Sequence, residues 1–171
     1  ILEVDFFGGE PLMNIGVVKK TVEYAREQGK KHGKTFLFTM TTNGILLDGE
    51  TADWLNKEME NVVMSLDGRK EVNDAIRKTV NGKGSYDIIV DKFRRFVEKR
   101  GNKSYYIRGT FTNKNLDFGK DIEAIADLGF KEISMEPVVL PKENPLAIPD
   151  EALPEIKEEY RRLSKEYLQR K

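Results

Sequence analysis

Short β-like apolar runs alternate along the chain with longer stretches in which apolar residues recur at helical spacing, the pattern of βα units and a parallel sheet. Strands are predicted near residues 2–7, 35–41, 61–65, 105–112 and 131–136. Between the first two, Val18, Val22 and Ala25 recur on one helical face, and Gly29 and Gly33 mark the exit. Asp48 to Met59 is predicted as the next helix, with Trp54, Leu55 and Met59 inward. Ile88, Ile89, Phe93, Phe96 and Val97 stripe a third, followed by Gly101, and Phe118 to Leu128 forms a fourth that stops at Gly129. Prolines at 137, 141, 145 and 149 forbid a regular helix and predict a linker. Beyond it, 150–169 reads as a charged helix with Leu153, Ile156, Tyr160, Leu163 and Tyr167 as a narrow apolar stripe.

Strict alternation fits either an open doubly wound sheet or part of a (β/α) barrel, and periodicity does not choose between them. Both architectures put their chemistry at the carboxyl ends of the strands, so those positions carry the functional information. The first strand ends in Gly8-Gly9-Glu10-Pro11, where paired glycines expose backbone to a ligand and the carboxylate offers an acceptor for an ammonium group. A plain strand-to-helix turn is the competing reading. The second strand runs into Thr41-Thr42-Asn43-Gly44, either a ligand-binding corner or an ordinary turn, and the third ends in Ser65-Leu66-Asp67-Gly68. A loop of roughly 18 residues then precedes the next helix and carries Arg77, whose guanidinium suits a bidentate carboxylate. Arg108, in the fourth strand, needs a carboxylate partner or a ligand, and the fifth strand ends on Glu136. Glu10, Arg77, Ser65 and Thr42 together suit a zwitterionic ligand with a ribose, such as an amino-acid nucleoside.

Composition narrows the field. Lys plus Arg equal Asp plus Glu at 29 each, so no overall charge draws the chain to nucleic acid or an anionic membrane. No apolar run is long enough to cross a bilayer, and a cytoplasmic location is expected. There is no Cys, which excludes disulfides and thiolate metal sites on this chain, and the single histidine, His32, lies in a Lys-rich turn. With 39% hydrophobic residues, the chain can bury a core of one ordinary domain. It opens directly on a strand-like run without an initiator Met, which suggests a cut inside a domain, a processed N-terminus that begins on a strand being the alternative.

The motifs Asp5-Phe6-Phe7-Gly8-Gly9-Glu10-Pro11-Leu12, Thr42-Asn43-Gly44-Ile45-Leu46-Leu47-Asp48 and Ser65-Leu66-Asp67-Gly68, with Arg77 twelve residues after Ser65, together resemble the core of the radical S-adenosylmethionine (SAM) enzymes. More narrowly they resemble the SPASM-type peptide and protein maturases, of which those that install a thioether cross-link in a short Cys-rich peptide are the nearest likeness and anaerobic sulfatase maturases the neighbouring one. The resemblance implies an α/β fold, a truncated (β/α)6 barrel with about strands 2 to 6 present over residues 1–140. Residues 141–171 would form a Pro-rich linker and charged helix leading toward a missing auxiliary-cluster region. It implies an enzyme in which a [4Fe-4S] cluster cleaves SAM to a 5′-deoxyadenosyl radical that modifies a peptide, served by a reductant protein. Gly8, Gly9 and Glu10 match the motif that holds the SAM amino group, and Ser65 and Arg77 the pair that binds its carboxylate. Thr42 and Asn43 fall where the family lines the SAM pocket, and Met135 where the last strand borders the adenine.

The family's CxxxCxxC loop is absent, so the cluster's ligands are not on this chain, and the chain alone is expected to be inactive. A barrel without its first strand leaves an unpaired edge at Leu2, from which self-association is expected. Two other readings compete: a non-catalytic module that presents a peptide- or partner-binding surface, and a cofactor-free βα-barrel enzyme such as an aldolase. The latter would want a Lys at a strand end, whereas the Lys residues fall mostly on helices and loops.

Overall fold

The computed structural model describes residues 1–169. Five strands, β1 (Leu2–Phe6), β2 (Phe36–Thr42), β3 (Asn61–Ser65), β4 (Ser104–Phe111) and β5 (Ile133–Pro137), alternate with α1 (Ile15–His32), α2 (Gly49–Glu58), α3 (Lys70–Ile76), α4 (Tyr86–Arg100), α5 (Phe118–Asp127) and α6 (Leu153–Gln169). Short 3-10 turns lie at Pro11–Asn14 and Asp150–Ala152. The strands form one sheet in the order β1-β2-β3-β4-β5, and β1-β2, β2-β3 and β4-β5 pair in parallel. A doubly wound sheet requires a reversal of strand order, and this sheet has none. The fold is therefore α/β with the strand sequence of a partial (β/α) barrel.

Contacts divide the chain into two compact units, residues 1–65 with 87–106, and residues 66–86 with 107 onward. In the first, Leu2, Val4 and Phe6 lie opposite Phe36, Phe38 and Met40, and Phe6 stacks on Phe38 with ring centroids 6.1 Å apart. Val18, Val22 and Ala25 of α1 are buried, as are Leu55 and Met59, Val62, Val63 and Met64 of β3, and Ile89, Phe93 and Phe96 of α4. Helical spacing located this face correctly except at Ile88, which is exposed while Val90 is buried in its place. Trp54 is only half-buried, with Lys19 Nζ 5.5 Å from its ring centroid.

Arg100 closes the base of this unit. Its guanidinium donates to the carbonyls of Ser104, Met59 and Glu60 and to Asn56 Oδ1. Burial pushes its pKa down to about 10, opposed by the nearby Glu60 carboxylate. Satisfying the donors with main-chain oxygens is how a buried cation is tolerated here.

The second unit is organised around Phe111, Phe118, Ala152 and Ile156, with Leu116, Ile122, Met135, Ile148 and Leu163 packed against them. Phe111 and Phe118 stack at 4.1 Å, and Tyr160 tilts onto Phe118 at 4.8 Å. Of the stripe predicted for α6, Ile156 is buried, whereas Leu153, Tyr160 and Tyr167 are exposed. Charge supplies much of the helix's attachment instead. Arg162 binds Glu123 of α5 as well as Glu159, and Glu159 accepts from the Gly119 amide at 2.9 Å.

The Arg162 guanidinium holds the Glu159 carboxyl below its ordinary value of 4.5, and the Arg69 guanidinium does the same for Asp117, ordinarily 3.8. A carboxyl depressed in the folded state contributes stability that is present above its unfolded pKa and lost as pH falls through its folded one. The melting temperature of the protein is thus expected to hold from neutral pH to about 5 and to decline progressively below 4.5, where Glu159 first takes up protons in the unfolded chain. Replacement of Glu159 by Gln should flatten that decline, and circular dichroism melts across the acid range measure it.

The segment after Gly68, expected as a loop of about 18 residues, contains α3. Seven residues with only Asn73 buried give no apolar stripe to detect. Its order comes from polar side chains: Asp74 accepts from the Tyr86 amide at 2.8 Å and Asn73 Nδ2 donates to Ser85 Oγ at 3.2 Å. A Lys78–Gly84 antiparallel bridge closes the hairpin between them.

Candidate functional site

In the first unit, Glu10 is fixed by protein donors at both oxygens. Oε1 accepts from the Leu12 amide at 3.1 Å and from Thr42 Oγ1 at 2.9 Å, while Oε2 accepts from the Asn43 amide at 2.6 Å. A carboxylate offers about four acceptor positions, so one remains for a cation. Thr42 is buried, and its hydroxyl donates to Glu10 and accepts from the Gly44 amide at 3.0 Å. It therefore braces Glu10. Asn43 turns its side chain back to accept from the Ile45 amide at 3.0 Å.

Gly8 and Gly9 have φ of 105° and 26°, a conformation that L side chains rarely adopt. A Cβ at either residue would meet nothing within 4 Å. The turn thus presents bare backbone to open space directly before the fixed carboxylate. An ammonium flanked by backbone carbonyls is the chemistry that this arrangement accepts. Ser65 ends β3 half-buried, and its hydroxyl makes no hydrogen bond among the described residues.

In the second unit, Arg77 lies at the C-terminal cap of α3 and its fork is already engaged. Nε donates to Asp67 Oδ2 at 2.7 Å and Nη2 to Asp67 Oδ1 at 2.9 Å. Asp67 is 2% exposed, and Oδ1 also accepts from the Thr110 amide of β4 at 2.9 Å. Sequence reading placed Asp67 at the rim but not as the partner of Arg77. Ten residues and a helix separate the two, and no periodicity encodes such a pair.

Arg108, read as a buried cation wanting a partner, has one: Nη2 lies 2.6 Å from Glu136 Oε2, and both side chains are partly exposed. Ser134 and Glu136 share a face of the sheet with Arg108, since Arg108 is in register with Ser134 and Thr110 with Glu136. Met135 lies between them, in register with Gly109, and packs into the Phe111–Phe118 core. Its side chain and those of Ser134 and Glu136 thus serve opposite faces of β5.

A cluster that sequence reading missed joins Arg69, Asp117, Asp121 and Asn115. Arg69 donates from Nη1 and Nη2 to Asp117 and from its amide and Nε to the fully buried Asp121. The Asp121 carboxylate, and after it that of Asp117, raise the Arg69 pKa above its ordinary value. Asn115 donates to Asp121 Oδ2 at 3.0 Å and accepts from the Thr112 amide and hydroxyl. This network ties the Gly68–Arg69 corner to α5 and to the end of β4.

The described residues contain no group of His, Cys, Asp and Glu placed to hold a metal ion, and no helix among them is long and apolar enough to cross a membrane.

The family profile of the Radical SAM superfamily matches residues 1–117. Among curated proteins, the chain is 28% identical over 137 residues to an uncharacterized protein of Methanocaldococcus jannaschii, covering 79% of this chain and 46% of that one. It is 30% identical over 111 residues to the cysteine-type anaerobic sulfatase-maturating enzyme of Clostridium novyi, covering 64% of this chain and 29% of the relative. The chain thus spans less than half the length of these relatives. Among solved structures, it superposes on anSMEcpe with bound AdoMet and the Cp18Cys peptide at a TM-score of 0.82 and 21% identity, over 98% of this chain and 48% of the other. A domain of the pyruvate-formate lyase-activating enzyme of Bacteroides vulgatus matches at a TM-score of 0.62 and 18% identity, over 96% of each chain.

Proposed function

The chain belongs to the radical SAM superfamily, and from that premise we propose that it is the SAM-handling part of an enzyme that modifies a peptide. The observation that carries this reading is Glu10, held at both oxygens with one acceptor position left and preceded by the open Gly8-Gly9 backbone. Gly8, Gly9 and Glu10 bind the ammonium of SAM. Thr42 and the Asn43 amide keep the Glu10 carboxylate in place without touching the cosubstrate. Ser65 and Arg77 take its carboxylate, and the backbone of Met135 borders the adenine.

In this family a [4Fe-4S] cluster would supply the electron that SAM cleavage requires. The residues present do not fit that group, because the chain has no Cys. Its own contribution is to hold and orient SAM. The likeness to a sulfatase-maturating enzyme and to a peptide-bound neighbour supports a peptide as substrate. Within that class, the motif resemblance favours thioether cross-linking of a Cys-rich peptide, and mass spectrometry of the product separates it from sulfatase maturation.

The test is calorimetric titration with SAM of the whole reconstituted protein, beside its Glu10→Ala variant. A charge-assisted hydrogen bond contributes about 1.5–3 kcal/mol, so the variant should bind SAM about 10- to 100-fold more weakly. Anaerobic incubation with reductant should release 5′-deoxyadenosine. A protein that carried its cluster and ignored SAM would return the fold to the non-catalytic binding module.

A further inference from the structure

We infer that Asp67 is the positioning residue for the cosubstrate's carboxylate, acting through Arg77; this rests on the proposal that Arg77 binds that carboxylate. A guanidinium has five N–H donors and can grip two planar carboxylates, one across Nε and Nη2 and one across Nη1 and Nη2. Asp67 occupies the first edge, at 2.7 and 2.9 Å. No hydrogen bond engages Nη1 among the described residues, and the side chain remains 29% exposed. The edge left over is the end-on one.

The surroundings fix that edge in direction. The Arg77 amide donates to the Asn73 carbonyl at 2.7 Å, and its own carbonyl accepts from the Ser85 amide at 3.1 Å. Asp67 is in turn held by the Thr110 amide, and its own amide meets Asn73 Oδ1 at 3.4 Å. Backbone and side chain of Arg77 are thus pinned from α3, β4 and the hairpin. Because the buried Asp67 already balances the guanidinium charge, Arg77 recognises a second carboxylate by its planar geometry more than by net charge.

The experiment compares two probes in the cluster-loaded whole protein: S-adenosylhomocysteine, which carries the amino acid carboxylate, and 5′-methylthioadenosine, which lacks it. Asp67→Asn retains an acceptor for the Thr110 amide but loses the charged two-point grip. It should weaken S-adenosylhomocysteine about tenfold, the size of one charge-assisted hydrogen bond, and leave 5′-methylthioadenosine within about twofold. In an Arg77→Ala background, Asp67→Asn should add nothing. Arg77→Lys, which keeps the charge and spares the Asp67 carboxylate, should lose the homocysteine probe as Arg77→Ala does, because an ammonium drawn to Asp67 has no second planar edge.

Equal weakening of both probes by Asp67→Asn would assign Asp67 a merely structural role and overturn the inference. So would full affinity in Arg77→Lys, even if Asp67→Asn failed to fold. Should Arg77→Ala bind both probes as the unmodified protein does, the carboxylate-binding reading of Arg77 itself falls, and the inference with it. Weakening by Arg77→Ala without any effect of Asp67→Asn keeps that reading and removes Asp67 alone.

Discussion

Replacing Asp121 with Ala is expected to lower the unfolding free energy by about 3–5 kcal/mol, the range found when one partner of a buried ion pair is removed. Asp121 is 0% exposed and accepts four hydrogen bonds: from the Arg69 amide at 3.0 Å, Arg69 Nε at 2.8 Å, Arg69 Nη2 at 3.3 Å and Asn115 Nδ2 at 3.0 Å. Truncation strands the buried Asn115 side chain and leaves the Arg69 amide and Nε without their acceptor. Asp117 still binds the outer nitrogens of Arg69, which places the expected value toward the lower end. Asp121→Asn returns one acceptor oxygen but brings donors of its own, so it should recover only part of the loss. Urea denaturation followed by circular dichroism measures all three proteins. A loss below about 1 kcal/mol for Asp121→Ala would mean that water replaces the carboxylate without penalty.

Gly44→Ala is expected to cost about 2–5 kcal/mol, for two separable reasons. Gly44 has φ of 80°, where an L residue is strained by about 1–2 kcal/mol. A Cβ there would also overlap the ring of Phe93 at Cε1 and Cζ. Phe93 is fully buried in the core of the first unit, and forcing such overpacking costs about 1–3 kcal/mol. The combination Gly44→Ala with Phe93→Leu should be less destabilised than the sum of the two single changes, because the smaller side chain vacates the space. Strict additivity would assign the whole effect to backbone strain. The Gly44 amide also donates to Thr42 Oγ1, which in turn holds Glu10. SAM affinity should therefore fall together with stability in Gly44→Ala.

Glu10 illustrates how far a linear reading reaches. Its position after a strand and a glycine pair was enough to nominate it, because backbone exposure and a carboxylate are local properties of four consecutive residues. Thr42 is nominated for the same strand-end reason, and the fold turns its hydroxyl to Glu10, 32 residues away. Arg77 was read as a free clamp, and only the folded chain supplies Asp67 to its side-on edge. Met135 shows the opposite case, since β5 alternation puts its side chain with Phe111 and Phe118 while Ser134 and Glu136 take the other face.

The sequence by itself determined the βα alternation, the buried faces of α1 and α4 and the family to which the motifs belong. These depend on spacing within a few turns of backbone or on fixed short motifs, where each residue's neighbours are known in advance. Tertiary structure alone decided the strand order, the existence of α3, the partners of Arg69, Arg77 and Arg108, and the hydrogen bonds that fix Glu10. A buried charge must find its counter-charge wherever the fold brings one near, and that proximity is a property of the packed chain, not of distance along it.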